Sequence, residues 1–522
     1  MVKLKIQVDI WAVMIASGLA YVILNAFLPF AEGRDAATYY LYFKGIFERE
    51  PVYPVLMLFR TPFTPLFFGI SFDLFGRLGP QIALGFGYVV ILTLAYKLLS
   101  SYSKWAGVVC VVLITTNLRL FEYYNTVGSE GPQTILLMIW AYVAFRAMKR
   151  SGVESGVLLG LATFLLVINR PANQLLLVGC FLPLLGGMAT LMRRDNAFKK
   201  RIVCSLVSVG VGAGLTFAYM GYNLLRYDHF CVARLGGASI PFYRVFLEER
   251  LIRPSNGPKC EELADLVRRK ILSNQTIRQY GVDEETFFRF STSRMFDELF
   301  RACAEERGWD HDFGLLRDSA WEAARANPKE FWLGYINGVC DMFQINSSQF
   351  LKTNRFERDR EFDQERQRRY VLYASINLPI PSEGDFFPST GCWLLVKPQG
   401  SRTHQGKLAI FTPQAWDYKP RPASSNLIKQ ALNWSTKFSS GWFYLFIGIV
   451  GMYMMLPGDR DPRLLLITIV STAVLLATWF GVTLYYYRLP HEPIYTMLFC
   501  YGMHSVIKFV SMRVMRSSVS HA

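Results

Sequence analysis

The chain has 522 residues, of which 52% are hydrophobic and only 18% charged, with a mean hydropathy of +0.22. Those proportions exclude a disordered chain, a disulfide-stapled miniprotein and an ordinary water-soluble enzyme. The net charge of +16 does not point to nucleic acid: 27 of the 40 acidic and 31 of the 56 basic residues fall between Arg226 and Lys437, so that segment carries +4 and the sparsely charged remainder +12. Basic excess in hydrophobic sequence is the pattern of cytosolic membrane loops, not of a DNA-binding face.

A bilayer crossing takes about 20 mostly apolar residues. In chain order the predicted spans are roughly Asp9 to Phe30, Ile82 to Leu99, Trp105 to Leu120, Pro132 to Met148, Val153 to Ile168, Ala172 to Met192, Ile202 to Tyr222, Ser439 to Leu456, Leu464 to Tyr487 and Ile494 to Phe509. The first is long and runs directly into an aromatic segment without a clear cleavage site, so it reads as a span rather than a signal peptide. With the N-terminus in the cytosol, 17 Lys and Arg fall in cytosolic pieces and 8 in short outer loops. That bias predicts both termini inside and an even number of spans. Glu330 to Ile345 is apolar but short and contains Asp341, and is expected to form an interfacial or buried helix.

The expected fold is therefore mostly α: a polytopic transmembrane helix bundle of about ten spans, with a large extracytosolic α or α+β domain inserted before the last three. The expected divisions are an N-terminal membrane module 1–222 with a first outer loop 31–79, an extracytosolic domain 223–438, and a C-terminal membrane module 439–522. Within the outer domain Cys260 to Leu272 and Ser319 to Ala326 read as helices. Arg355 to Arg369 reads as a solvated, mixed-charge helix face. Leu378 to Gly391 and Lys397 to Ser425 read as loop or β.

Several kinds of chemistry have no motif. The nine cysteines include no Cys-x-x-Cys pair. Asp310-His311-Asp312 reads as a surface loop rather than a metal site. No P-loop is present, and the Gly210 to Gly214 run falls within a predicted span, where small residues let helices approach. Neither metal nor cofactor is expected.

The residues that remain stand at outer span ends. Asp35 follows the first span and is placed either to cap the helix from Ala36 onward or to act as a general base. Arg60-Thr61-Pro62-Phe63-Thr64-Pro65 breaks a would-be span into a re-entrant or interfacial helix, of the kind tolerated beside a cavity. Ser129, Glu130 and Pro132 open the fourth span, with Ser129 as a candidate N-cap and Glu130 complementing the dipole. Arg170, before Pro171, and Arg488 are outer arginines set against the charge bias. They can snorkel to headgroups or bind an anion. Tyr485 to Tyr487 suit an interfacial belt. Together these place a carboxylate, several guanidinium groups and broken helices at one outer rim, an arrangement that fits a lipid phosphate.

This order of motifs resembles the GT-C superfamily of membrane glycosyltransferases, closest to the group of protein O-mannosyltransferases, aminoarabinose transferases and rhizobial lipopolysaccharide transferases. The resemblance covers the membrane half. It rests on Asp35 and Tyr39 after the first span, the Pro62-x-x-Pro65-Leu66 helix ending in Leu74-Phe75-Gly76, and Ser129-Glu130. It continues in Asn169-Arg170-Pro171, Asn327-Pro328-Lys329-Glu330-Phe331-Trp332, and Arg488-Leu489-Pro490 with Pro493. The mannosyltransferases carry an adjacent Asp-Glu pair, whereas Ala36 follows Asp35 here. The aminoarabinose transferases carry His-Pro-Pro where this chain has Phe63-Thr64-Pro65.

The resemblance implies an inverting single displacement that moves a sugar from a polyprenyl-phosphate donor to a glycan, lipid or protein acceptor outside the cytosol. Asp35 is then the catalytic base. Arg60, Arg170 and Arg488 hold the donor phosphate, and Tyr39, Glu130, Tyr487 and His491 make further substrate contacts. No metal, cofactor or nucleic acid enters the scheme, and membrane lipid surrounds it. The expected location is the bacterial inner (plasma) membrane with the site on its extracytosolic face, since no endoplasmic-reticulum retention motif is present. The alternatives are a lipid-linked sugar flippase or other polytopic transporter, and a membrane sensor. A transporter would carry polar pairs deep within its spans and often internal repeats.

Overall fold

A computed structural model of the chain describes residues 2–32, 36–48, 54–186, 196–234, 241–273, 283–289, 291, 293–307, 313–343, 427, 430–431, 441–453, 461–479 and 485–520. These are mostly helical, as the hydropathy pattern predicts. Asp35, Asp310 to Asp312, Arg355 to Arg369, Leu378 to Gly391 and Lys397 to Ser425 lie outside the described residues.

The first helix, α1 (Val2–Phe27), contains no proline and leaves Trp11, Ile15, Leu19, Val22 and Phe27 exposed along its length. An apolar stripe of that size facing outward is rare on a soluble monomer. Among the described residues three helical stretches are long and apolar enough to cross a membrane: Asp9–Phe27, Phe63–Leu99 and Ala197–Tyr227. The bent pair Lys104–Thr116 and Leu118–Tyr124 makes a fourth if it is counted as one span.

Two of these stretches are not straight rods. Phe63–Leu99 consists of α4 (Phe63–Phe75) and α5 (Gly79–Leu99), joined through Gly76 at φ 60° and ψ −147°. Glycine alone adopts that conformation readily. Gly79 lies so close to α4 that a Cβ there would sit 1.8 Å from the Ser71 carbonyl oxygen. Residues eight apart in a straight helix are separated by about 12 Å, so α4 folds back over the start of α5. α5 alone is about 31 Å long and α4 only about 20 Å. Pro62 and Pro65 fall before and within the first turn of α4, where proline is tolerated.

The predicted span Trp105 to Leu120 is likewise not one straight helix. It bends by 63° between α6 (Lys104–Thr116) and α7 (Leu118–Tyr124). Asn117 causes the break: its side chain accepts the Leu120 N–H at 3.1 Å and restarts the helix with a new cap. Then follow α8 (Glu130–Lys149) and α9 (Val153–Val167). The predicted span Ala172 to Met192 begins as a 3-10 helix, Pro171–Phe181, before α10 (Leu182–Leu185).

Helix α11 (Asn196–Tyr227) packs closely on α9. A Cβ on Gly156 or Gly160 would lie 2.5 or 2.6 Å from the carbonyl oxygens of Cys204 and Ser208, a small-residue seam of the membrane-helix type. Of the Gly210 to Gly214 run, Gly212 faces this seam, while Gly210 and Gly214 have open space beside them.

Earlier in the chain, α2 (Ala36–Gly45) and α3 (Pro54–Phe59) precede α4. The segment after α11 forms a helical domain: α12 (Pro258–Leu266), α13 (Glu284–Arg289), α14 (Ser293–Arg307), α15 (Gly314–Ala326) and α16 (Pro328–Met342). Its core of Phe242, Phe246, Leu263, Phe287, Leu299, Phe300, Leu316 and Phe331 also receives Tyr42 from α2 and Met57 from α3. Ala36 and Tyr39 belong instead to the core of the main bundle, so α2 stitches the two cores together. α16 coincides with the expected interfacial or buried helix. It buries Phe331 and Met342 and exposes Trp332 and Ile336, and the Arg244 guanidinium stacks 4.1 Å from the Phe331 ring.

Helices α17 (Gly441–Tyr453), α18 (Arg463–Trp479) and α19 (Glu492–Ser520) complete the bundle, with a 3-10 segment Tyr485–His491 leading into α19. Contacts sort the helix ends into two groups. At the base Lys104 pairs with Asp9, Tyr102 donates to Asp461 at 2.5 Å, and Arg463 pairs with the same carboxylate. At the opposite rim Ala31–Glu32 (β1) pairs in parallel with Thr126–Val127 (β2), and the ends of α1, α6 and α9 meet the starts of α5, α8 and α19.

Candidate functional site

The rim is organised by the turn after α9. The Asn169 and Arg170 amides both donate to the Leu166 carbonyl, and Pro171 holds Arg170 extended at φ −144° and ψ 129°. This directs the Arg170 side chain onto the first turn of α8. Its Nε and one terminal nitrogen donate to Ser129 Oγ at 2.9 and 2.6 Å, and the same terminal nitrogen meets Glu130 Oε1 at 2.5 Å. The N-cap expected of Ser129 is therefore not what the structure has: the hydroxyl makes no cap bond and serves Arg170 instead. Glu130 does occupy the first turn, where its charge complements the helix dipole as well as the guanidinium.

Aromatic rings enclose the pair. Arg170 lies 5.2 Å from the centre of the Tyr487 ring, and Tyr39 and Tyr487 are both within its electrostatic reach. Arg60, just beyond α3, donates from Nε to Thr38 Oγ1 at 3.0 Å. Its guanidinium lies 4.9 Å from the centre of the same Tyr39 ring and 4.6 Å from that of Phe59. Tyr39, itself buried, is thus a neighbour of both arginines. Guanidinium groups over ring faces keep their charge while losing water.

His491 is 4% exposed, with Nδ1 2.7 Å from Ser471 Oγ. Burial, reinforced by the positive charge of Arg170, pushes its pKa down to about 3. A neutral imidazole offers one donor and one acceptor. The structure therefore brings Tyr39, Arg60, Glu130, Arg170, Tyr487 and His491 to one part of the rim.

Arg488 is placed differently. Its Nε and one terminal nitrogen donate to Glu492 Oε1 at 2.9 and 2.6 Å, and the other terminal nitrogen donates to the Met342 carbonyl at 2.5 Å. The two side chains are only 3% and 1% exposed, and the second Glu492 oxygen accepts from Asn117. This ion pair clamps α19, the α6–α7 break and the end of α16. Glu492 and Asn117 escaped the sequence reading, although an acid four residues after an arginine is a helical pairing signal.

Asp35 lies outside the described residues. The chain before it is fixed by pairing of Glu32 with Val127, two residues ahead of Ser129, and the chain after it begins α2 at the buried Ala36. Among the described residues no group of three or more His, Cys, Asp and Glu is arranged to hold a metal ion. Both guanidiniums, of Arg60 and Arg170, are thus backed by aromatic rings at the edge of an apolar bundle, where the local dielectric is low. No family model matches the chain, and neither a curated protein nor a solved structure is similar to it.

Proposed function

We propose that the protein is a multi-pass membrane glycosyltransferase of the GT-C kind, which transfers a sugar from a polyprenyl-phosphate donor to an acceptor outside the cytosol. The observation that carries this reading is the convergence of Arg60, Arg170, Glu130, Tyr39, Tyr487 and His491 at one rim of an apolar helix bundle. In this reading ten segments cross the bilayer: α1, α5, α6 with α7, α8, α9, the 3-10 helix with α10, α11, α17, α18 and α19. The exposed apolar side chains of α1, α5 and α6 face lipid, and the lysine and arginine bias sets the rim outside, in the bacterial plasma membrane.

The reaction is a single displacement with inversion. The acceptor hydroxyl attacks the anomeric carbon and its proton passes to Asp35, while the bond from that carbon to the phosphate oxygen breaks and polyprenyl phosphate departs. Arg60 and Arg170 meet the charge that grows on the phosphate, where charge-assisted bonds count most. Arg488, with its nitrogens committed to Glu492 and Met342, holds the rim together. General-base assistance is worth roughly 10²–10⁴-fold, so Asp35→Asn should lower transfer by about that factor with insertion and melting unchanged; an active Asn variant removes the base assignment. The test is incubation of purified protein with a panel of polyprenyl-phosphate sugars and an acceptor extract. Release of polyprenyl phosphate supports the transferase. Movement of the intact donor across a liposome membrane without release identifies a flippase instead.

A further inference from the structure

Both candidate phosphate arginines are chain neighbours of residues that bond to one another. Thr61, beside Arg60, donates from Oγ1 to the Asn169 carbonyl at 2.9 Å, and Asn169 is beside Arg170. Thr64 Oγ1 donates to Asn169 Oδ1 at 2.7 Å. The Phe63 amide donates to the Ile168 carbonyl at 3.0 Å. Asn169 Nδ2 in turn donates to Gln133 Oε1 at 2.7 Å, and Asn173 Nδ2 reaches the same oxygen at 2.8 Å. Gln133 Nε2 returns a bond to Asn173 Oδ1 at 3.0 Å, and Asn173 Nδ2 also serves the Leu166 carbonyl at 2.7 Å. All five side chains are at most 5% exposed.

Such a cluster is costly unless it is satisfied throughout, and here each amide has its partners. It contains no charge, so it neither competes for a phosphate nor repels one. It joins three elements, the start of α4, the inner face of α8 and the turn after α9. Two of the three carry the arginines, and the third carries Glu130, the partner of Arg170.

We propose that Gln133, Asn169 and Asn173, with Thr61 and Thr64, are positioning residues: a neutral amide network that sets the separation of the Arg60 and Arg170 guanidiniums and so tunes the site for its lipid phosphate. The inference rests on the functional reading above. Gln133 is its hub, because it touches both asparagines and stands one helical turn after Glu130 on α8. Burial of the network keeps water from loosening the spacing, and its attachment to α4 couples that spacing to the folded-back α4–α5 hairpin.

The experiment is a double-mutant cycle read by binding of polyprenyl phosphate to the full-length protein in detergent. Coupled residues give non-additive effects. Arg170→Ala should weaken binding, and Gln133→Leu should weaken it by about tenfold, the loss typical of a broken buried hydrogen-bond network. In the Arg170→Ala background Gln133→Leu should add nothing further. Thr64→Val, which removes a single bond onto Asn169, should show the same masking with a smaller effect and serves if Gln133→Leu fails to fold. Effects that simply add in the double variants overturn the positioning role while leaving the phosphate site standing. Unchanged binding in Arg170→Ala alone overturns the phosphate site and the positioning role together.

Discussion

Among the arginine–glutamate pairs at the rim, Arg488–Glu492 and Arg170–Glu130 differ in how fully they are enclosed. Arg488 and Glu492 are 3% and 1% exposed, and Arg488 also binds the Met342 carbonyl while Glu492 receives Asn117. Arg170 and Glu130 are 14% and 16% exposed, and Arg170 shares its hydrogens between a carboxylate and a hydroxyl, with a tyrosine ring beside it. The first pair joins three elements in a sealed interior and resembles a rivet. The second keeps an accessible side, as a group that meets a ligand must. The difference predicts a separation of effects. Arg488→Leu leaves a carboxylate buried without its partner and should cost about 3–5 kcal/mol of stability, read as a large fall in the detergent melting temperature. Replacing Glu492 with Leu as well should recover part of it, because no bare charge then remains. Arg170→Ala should melt near the wild type and lose donor binding. If the two single variants melt alike, the comparison fails.

His491 stands between the pairs, next to Glu492 in the chain and within reach of Arg170's field. Its folded pKa of about 3 lies below the ordinary histidine value of 6.5. Between these values the unfolded chain binds the extra proton, so stability is lost as pH falls and is flat above about 6.5. The expected loss from pH 6.5 to pH 5 is about 2 kcal/mol, measured as a falling melting temperature that His491→Gln flattens. The carboxylates Glu130 and Glu492 and the guanidiniums Arg170 and Arg488 all face this region, so the histidine variant, not the pH profile alone, is what assigns the effect. A profile in His491→Gln that still falls by the same amount moves the titration to another group.

Much of the helical content was legible because apolar stretches declare themselves through hydropathy. The arginines stood out because they break the charge bias at the predicted outer span ends. What stayed hidden was whatever depends on a second element. The break at Asn117 looks like ordinary span sequence until its side chain caps Leu120 and meets Glu492. Ser129 reads as a helix cap by type, yet Arg170 claims its hydroxyl. Arg170 and Arg488 are alike in sequence, both before or near proline and both at predicted outer span ends, and only the partners that enclose them seal Arg488 and leave Arg170 an accessible side. Gln133, a polar residue in an apolar helix, carries a visible anomaly whose meaning depends on Asn169 and Asn173, more than thirty residues away.

A third ion pair completes the scale of enclosure at its exposed end. Lys104 and Asp9 pair at the base with side chains 60% and 33% exposed. The lysine is largely exposed, so the pair replaces solvation that each charge already enjoys, and ordering two mobile side chains offsets most of the attraction. Lys104→Gln should therefore leave the melting temperature and donor binding unchanged, and added salt should not alter that result. The outcome is informative because this pair, like the other two, is in direct contact and differs from them in exposure. If Lys104→Gln destabilises the protein as Arg488→Leu does, proximity rather than enclosure sets the worth of these contacts, and the distinction drawn between the rivet and the ligand-facing pair loses its physical basis.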